Sequence, residues 1–177
     1  DSHLEALGEA LEGSRRIAGI VRDLKAFSRD DVSLKPVPTN SRRALETAFK
    51  MCQKFVSTRA RLVTSLADIP LAEATESRLS QVFINLLMNA AQAIPEGHPG
   101  GEIRVAQHLD GDAVVTSFTD NGVGIAPEVQ KRIFDPFFTT KPVGTGTGLG
   151  LAICHGLVAG FGGELKVKSE LGVGSTF

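Results

Sequence analysis

Tryptophan and tyrosine are missing from the 177-residue sequence, which leaves its ten phenylalanines as the aromatic core formers. Cysteine is scarce. Cys52 and Cys154 lie far apart and form no Cys-x-x-Cys pair, so they read as ordinary reduced thiols of a cytosolic domain. No apolar run approaches the roughly 18 residues that a membrane-spanning helix needs, and nothing at the N-terminus resembles a signal peptide. Excess charge of either sign is lacking as well. With 19 basic and 20 acidic side chains the net charge is −1, which removes the electrostatic footprint expected for nucleic acid or an acidic membrane. Internal repeats and low-complexity tracts are absent. What is present is a chain 42% apolar, enough for one sizeable core and a small appendage.

Apolar periodicity predicts one long helix from His3 to Arg29, with Leu4, Leu7, Leu11, Ile17, Ile20, Val21, Leu24 and Phe27 along a stripe. The proline-containing stretch 31–40 reads as a linker into a second unit, residues 41–177. That unit alternates: helix over 41–57, strand over 60–68, helix over 78–94, a hairpin over 101–120 turning at Asp110-Gly111, a loop-rich segment with a short helix near 127–133, helix over 149–161, and a closing hairpin from 164–169 and 175–177. Hairpins joined to helices imply an α+β sandwich, a mixed and mostly antiparallel sheet with helices on one face.

Four stretches could carry chemistry. In the 78–94 helix, Leu79, Phe83, Leu86, Leu87, Ala90 and Ile94 share one face, and Gln81, Asn85, Asn89 and Gln92 form a narrow amide strip opposite. A solvated helix face normally carries Glu, Lys and Arg, and none occurs here; an amide oxygen is a hard ligand suited to Mg²⁺. "DNGVGI", 120–125, follows a strand; it fits a plain turn, or an open glycine segment in which Asp120 accepts a hydrogen bond from a flat ligand. "RIFDPFFTTKP", 132–142, places Phe134, Phe137 and Phe138 in a loop ahead of a single cation, Lys141. "GTGTGLGLAI", 144–153, lacks the Lys-Ser/Thr ending of a P-loop and the Gly-x-Gly-x-x-Gly register of a dinucleotide site. It reads as a flexible arm feeding a helix N-terminus, where free amides and the helix dipole suit an anion.

Taken in order, "NLLMNAAQAI", "DNGVGI", "FDPFF", "GTGTGLGLAI" and "GVGSTF" resemble the N box, first glycine box, F box, and second and third glycine boxes of sensor histidine kinases. The wording is most similar to kinases of the nitrogen-regulation type, and "SRRIAGIVRDLKAFSR" resembles the second helix of the dimerisation and phosphotransfer hairpin, which would occupy residues 1–30. The resemblance implies the Bergerat ATP-binding fold of the gyrase, heat-shock chaperone and histidine kinase superfamily. It implies ATP and Mg²⁺ as cofactors, with Asn89 as the metal ligand and Asn85 and Lys141 in catalytic roles at the phosphates. It further implies Asp120 on the adenine amino group, Gly122 and Gly124 allowing close approach, and Gly146, Thr147, Gly148, Leu149 and Gly150 cradling the phosphate chain. Ser175 and Thr176 would lie near adenine, and Thr176 is the candidate contact. Residues 126–147 would form a lid anchored by Phe134, Phe137 and Phe138.

The implied partners are the kinase's own hairpin in a homodimer and a response-regulator receiver domain, with no nucleic acid and no membrane contact, in the bacterial cytoplasm. His3, His98, His108 and His155 all lack the acidic follower of a phospho-acceptor, so the acceptor histidine is expected elsewhere. Two rival readings are an ATP hydrolase of the same superfamily and a non-catalytic nucleotide-binding module. The hydrolases place a glutamate one turn before the metal-binding Asn; here that position is Asn85, which is no base at neutral pH.

Overall fold

The computed structural model describes residues 36–142 and 146–177, with the single positions Gly8, Gly13 and Ser14. The rest of the expected 3–29 helix, linker residues 31–35 and Gly144 lie outside the described residues. Among those described, seven strands and four helices are formed.

Strand β1 (Val37–Thr39) and helix α1 (Ser41–Ser57) open the domain. Asn40 caps α1, its side-chain oxygen accepting the Arg42 N–H at 3.0 Å, and so closes one orphan donor of the first turn. Residues 37–40 therefore belong to the folded unit, contrary to the linker expected over 31–40. Two prolines beside Val37 concealed a short strand, which pairs antiparallel with β3 (Ala72–Ala74) as a separate ribbon. Strand β2 (Arg61–Leu66) follows α1, and helix α2 (Glu76–Ala93) follows β3. Pro95 stops α2, holding Ile94 in extended backbone.

Strands β4 (Glu102–Asp110) and β5 (Ala113–Asp120) form the expected hairpin, but Asp110 pairs with Ala113, so its turn is Gly111-Asp112, one residue later than the sequence implies. Helix α3 (Pro127–Gln130) is one turn, α4 spans Gly150–Gly160, and β6 (Lys168–Glu170) pairs antiparallel with β7 (Gly174–Thr176). The last hairpin is shorter than expected, with no strand over 164–167.

The main sheet runs β2-β4-β5-β7-β6, parallel at β2/β4 and antiparallel elsewhere, which is the mixed sandwich anticipated. Ile103 and Val105 of β4 and Phe118 of β5 point to one face and are covered by α1 and α2, through Ala44, Leu45, Ala48, Val82, Phe83, Leu86 and Leu87. The rings of Phe83 and Phe118 meet at 5.5 Å between centroids. By the period of two, Asp120 follows Phe118 onto that helix-covered face, at the strand end where the apolar layer runs out.

Candidate nucleotide-binding site

Helix α2 contributes its amide strip. Its apolar side is consumed by the core, so Asn85 and Asn89 are left half-buried at the edge and Gln92 exposed. Asn85 Nδ2 approaches the Gly150 carbonyl of α4 at 3.5 Å, and a Cβ on Gly150 would stand 3.9 Å from Asn85 Cγ. Below it Cys154 is fully buried, and burial pushes its thiol up to about 12, against an opposing hydrogen bond from Asn85. The donors of Asn85 thus face α4. Farther along the helix, Lys141 Nζ donates to Gln92 Oε1 and lies 3.5 Å from Asn89 Oδ1. Gln81 lines a cleft with Thr47, Met51 and Asn85, one turn before the Lys141 contacts. The structure joins Lys141 to Asn89 and Gln92, and Asn85 to Gly150, with Gln81 beside Asn85 on its other side.

Asp120 lies past the C-terminal end of α2, where the Val123 N–H donates to the Ala93 carbonyl at 2.9 Å. It is 4% exposed; its carboxylate accepts the Gly122 N–H at 2.9 Å. Burial raises its pKa from the ordinary carboxylate value, and backbone hydrogen bonds from Gly122 and Ser175 oppose the rise. Asn121 turns outward, accepting the Glu102 N–H and donating to the Gly100 carbonyl, which fixes the strand exit. Beyond it, Ser169 Oγ accepts the Ile125 N–H at 2.8 Å and meets Ser175 Oγ at 2.9 Å, while Gln130 reaches the carbonyls of Ile125 and Ser169. These bonds tie the 121–130 segment to the β6–β7 hairpin.

The close approaches that Gly122 and Gly124 permit are to the protein's own backbone. A Cβ on Gly122 would lie 2.4 Å from the Ala93 carbonyl oxygen, and one on Gly124, at φ +69°, 2.0 Å from that of Glu170. Thr176 is not brought to Asp120. It pairs with Thr119, hydroxyl to hydroxyl at 3.0 Å, on the opposite face of the sheet; the register sets Ser175 opposite Asp120 instead. Of the two residues expected near the ligand, the pairing therefore sets Ser175 beside Asp120 and Thr176 beside Thr119.

The F-box phenylalanines divide as well. Phe134 stacks on His155 of α4 at 5.2 Å, and Phe138 lies under the Arg132 guanidinium at 4.4 Å. Phe137 anchors nothing: it is 66% exposed at φ +66°, and its backbone would be 2.4 Å from any Cβ on Gly148. Leu149 is 1% exposed, so its side chain serves the core and only its backbone can face a ligand. Thr147 Oγ1 accepts the Leu149 N–H at 3.3 Å ahead of α4, whose first amides have no acceptor within the helix.

Among the described residues no group of three or more His, Cys, Asp or Glu side chains is placed to hold a metal. A divalent cation here would rely on amide oxygens and on its substrate's phosphates. The oxygens fit that demand, since Asn89 and Gln92 already turn toward a cationic group, the Lys141 ammonium. No helix of the described residues is long and apolar enough to cross a membrane.

Residues 74–177 match the family described as histidine kinase-, DNA gyrase B- and HSP90-like ATPase. Sensor kinase CckA of Brucella abortus is 34% identical over 179 residues, covering 94% of this chain and 19% of that protein. Signal transduction histidine-protein kinase AtoS of Escherichia coli is 35% identical over 178 residues, covering 99% of this chain and 28% of that protein. The chain thus spans less than a third of either relative. The catalytic domain of histidine kinase ThkA superposes with a TM-score of 0.70 at 28% identity, over 81% of this chain and 93% of that one. Full-length ShkA in complex with AMPPNP gives 0.78 at 28% identity, over 99% of this chain and 37% of that one. With the strip, the buried carboxylate and these likenesses together, the chain belongs to the histidine kinase-, DNA gyrase B- and HSP90-like ATPase family, and within it is an ATP-binding domain of the sensor histidine kinase type.

Proposed function

We propose that this domain binds Mg²⁺–ATP between α2 and α4 and donates the γ-phosphoryl group to a histidine of a dimerisation hairpin, for onward transfer to a receiver domain. Residues 1–30 would be the second helix of that hairpin, in a homodimer. The arrangement of Asn85, Asn89 and Lys141 opposite Asp120 supports the reading, because it offers amide oxygens and an ammonium at one end and a buried acceptor at the other. Asp120 would accept the adenine amino hydrogen, with Ser175 beside it. Lys141 and the first amides of α4 would neutralise the phosphates, and Asn89 would hold the divalent cation, which supplies charge neutralisation to the phosphoryl oxygens.

Asn85 favours transfer over hydrolysis. Its amide is no general base, and its NH₂ group is turned to the Gly150 carbonyl, so nothing at this position activates water. His98, His108 and His155 are exposed, and His155 is stacked on Phe134. None would accept the phosphoryl group.

Calorimetric titration with AMPPNP, with and without Mg²⁺, tests the site. Asn89→Ala should weaken binding only when Mg²⁺ is present; equal losses in both conditions would remove Asn89 as the metal ligand. Radiolabelled ATP should leave this chain unlabelled and give an acid-labile phosphohistidine on a hairpin supplied in trans. Robust multiple-turnover hydrolysis would favour the hydrolase reading instead.

A further inference from the structure

Lys141 is docked rather than solvated. Its backbone N–H donates to Thr139 Oγ1 at 3.2 Å, and its ammonium reaches Gln92 Oε1 and Asn89 Oδ1. Gly146 closes on the same group: a Cβ there would lie 2.8 Å from Thr139 Oγ1 and 3.2 Å from Lys141 Cδ. Ordering a long ammonium side chain costs rotamer freedom, so a docked lysine needs a reason. Helix α2 provides one. Its last turn contains no basic residue, and Asn89 and Gln92 stand near the end where helix carbonyls leave partial negative charge. Lys141, 49 positions farther along the chain than Gln92, supplies the cation that the helix does not carry itself.

We propose that Gln92 is a positioning residue that parks Lys141 on the amide strip. The ammonium then holds the Asn89 oxygen until a nucleotide and its divalent cation displace it. This rests on the Mg²⁺–nucleotide reading of the site and adds a role that reading does not require. Binding becomes an exchange in which the incoming cation takes the Asn89 oxygen and the phosphates take the lysine through stronger, charge-assisted hydrogen bonds. Gln92 suits the task because a neutral acceptor holds an ammonium without trapping it as a carboxylate would. The apparent affinity for nucleotide is lowered by the fraction of molecules with the lysine parked.

A double-mutant cycle read by titration with Mg²⁺–AMPPNP tests the proposal. Gln92→Leu should tighten binding by about threefold to tenfold, since it removes the parking acceptor and leaves Lys141 free for phosphate. In a Lys141→Met background the same substitution should change nothing. In the nucleotide-free protein, the side-chain amide resonances of Gln92 should shift on Lys141→Met. A Gln92→Leu variant that binds no more tightly, an equal effect in both backgrounds, or Gln92 resonances indifferent to Lys141→Met would overturn it. Failure of the unmodified protein to bind Mg²⁺–AMPPNP would instead overturn the site reading, and the ligand-free resonance comparison separates the two failures.

Discussion

The Asp120 end and the Lys141 end of the site are both rich in glycine, and they differ in how completely the protein fills the space beside it. Around Asp120 the missing side chains are filled by the protein's own backbone: Gly124 sits against Glu170, and Gly174 against the Asp120 carbonyl with a Cβ distance of 2.0 Å. Around Lys141 the filling is uneven: a Cβ on Gly148 would lie 2.4 Å from the Phe137 backbone and one on Gly146 2.8 Å from Thr139 Oγ1, whereas Gly150 is open, with Asn85 at 3.9 Å the nearest atom to its Cβ position. One end is a fixed socket, its segments locked by Ser169, Ser175 and Gln130. The other is held by amide-to-ammonium contacts that water or phosphate can replace. On the proposed reading, a ligand's flat, invariant part would meet the first, and its charged, reacting part the second.

Glycine substitution breaks the comparison most sharply. Gly124→Ala places a methyl group inside the Glu170 carbonyl at a φ that L side chains rarely adopt, and should cost more than about 3 kcal/mol of stability in urea or thermal unfolding. A loss below about 1 kcal/mol would mean that the Asp120 end is not a fixed socket. Next in size is Asp120→Ala, which removes a charged acceptor and should cost about 1.5–3 kcal/mol of AMPPNP affinity by calorimetry.

The same carboxyl carries a pH signature. Burial raises its pKa in the folded state, so the folded protein holds that proton more tightly than the unfolded chain. Stability contributed by protonated Asp120 is lost as pH rises from the ordinary carboxylate range through the raised value. Asp120→Asn should therefore gain about 0.5–2 kcal/mol over the unmodified nucleotide-free protein at neutral pH. The gain should shrink as pH falls through that window, while nucleotide affinity drops at neutral pH. A gain independent of pH would dissociate the carboxyl from the effect. The smallest change is expected at Gly150→Ala, the first residue of α4, where the gain in stability should stay below the roughly 0.5 kcal/mol of a helix-interior site while affinity for AMPPNP falls. Unchanged affinity would remove Gly150 from the phosphate cradle.

What the sequence disclosed follows the range of the forces involved. The amide strip was legible because helical periodicity sorts Asn85 and Asn89 from Phe83 and Leu86 within a few residues. Asp120 was legible because a strand ended there. Contacts between distant segments were not: nothing local joins Lys141 to Gln92, or tells Gly122 that Ala93 will be its neighbour. Ser175 and Thr176 differ only in parity, which is fixed by pairing with β5 and cannot be read from a three-residue strand. The β1–β3 ribbon was hidden by its length and by Pro36 and Pro38.

Strand β7 lies between β5 and β6 in the sheet, and its Thr176 meets Thr119 across 57 positions of chain. During ribosomal synthesis the helices and the β4–β5 hairpin can assemble well before that strand emerges, since their contacts are with segments already made. Asp120 gains Ser175 only when the β6–β7 hairpin has been made. A nascent chain can therefore be largely helical and collapsed while the pocket around Asp120 still lacks one wall, and that hairpin turns a folded scaffold into a finished socket.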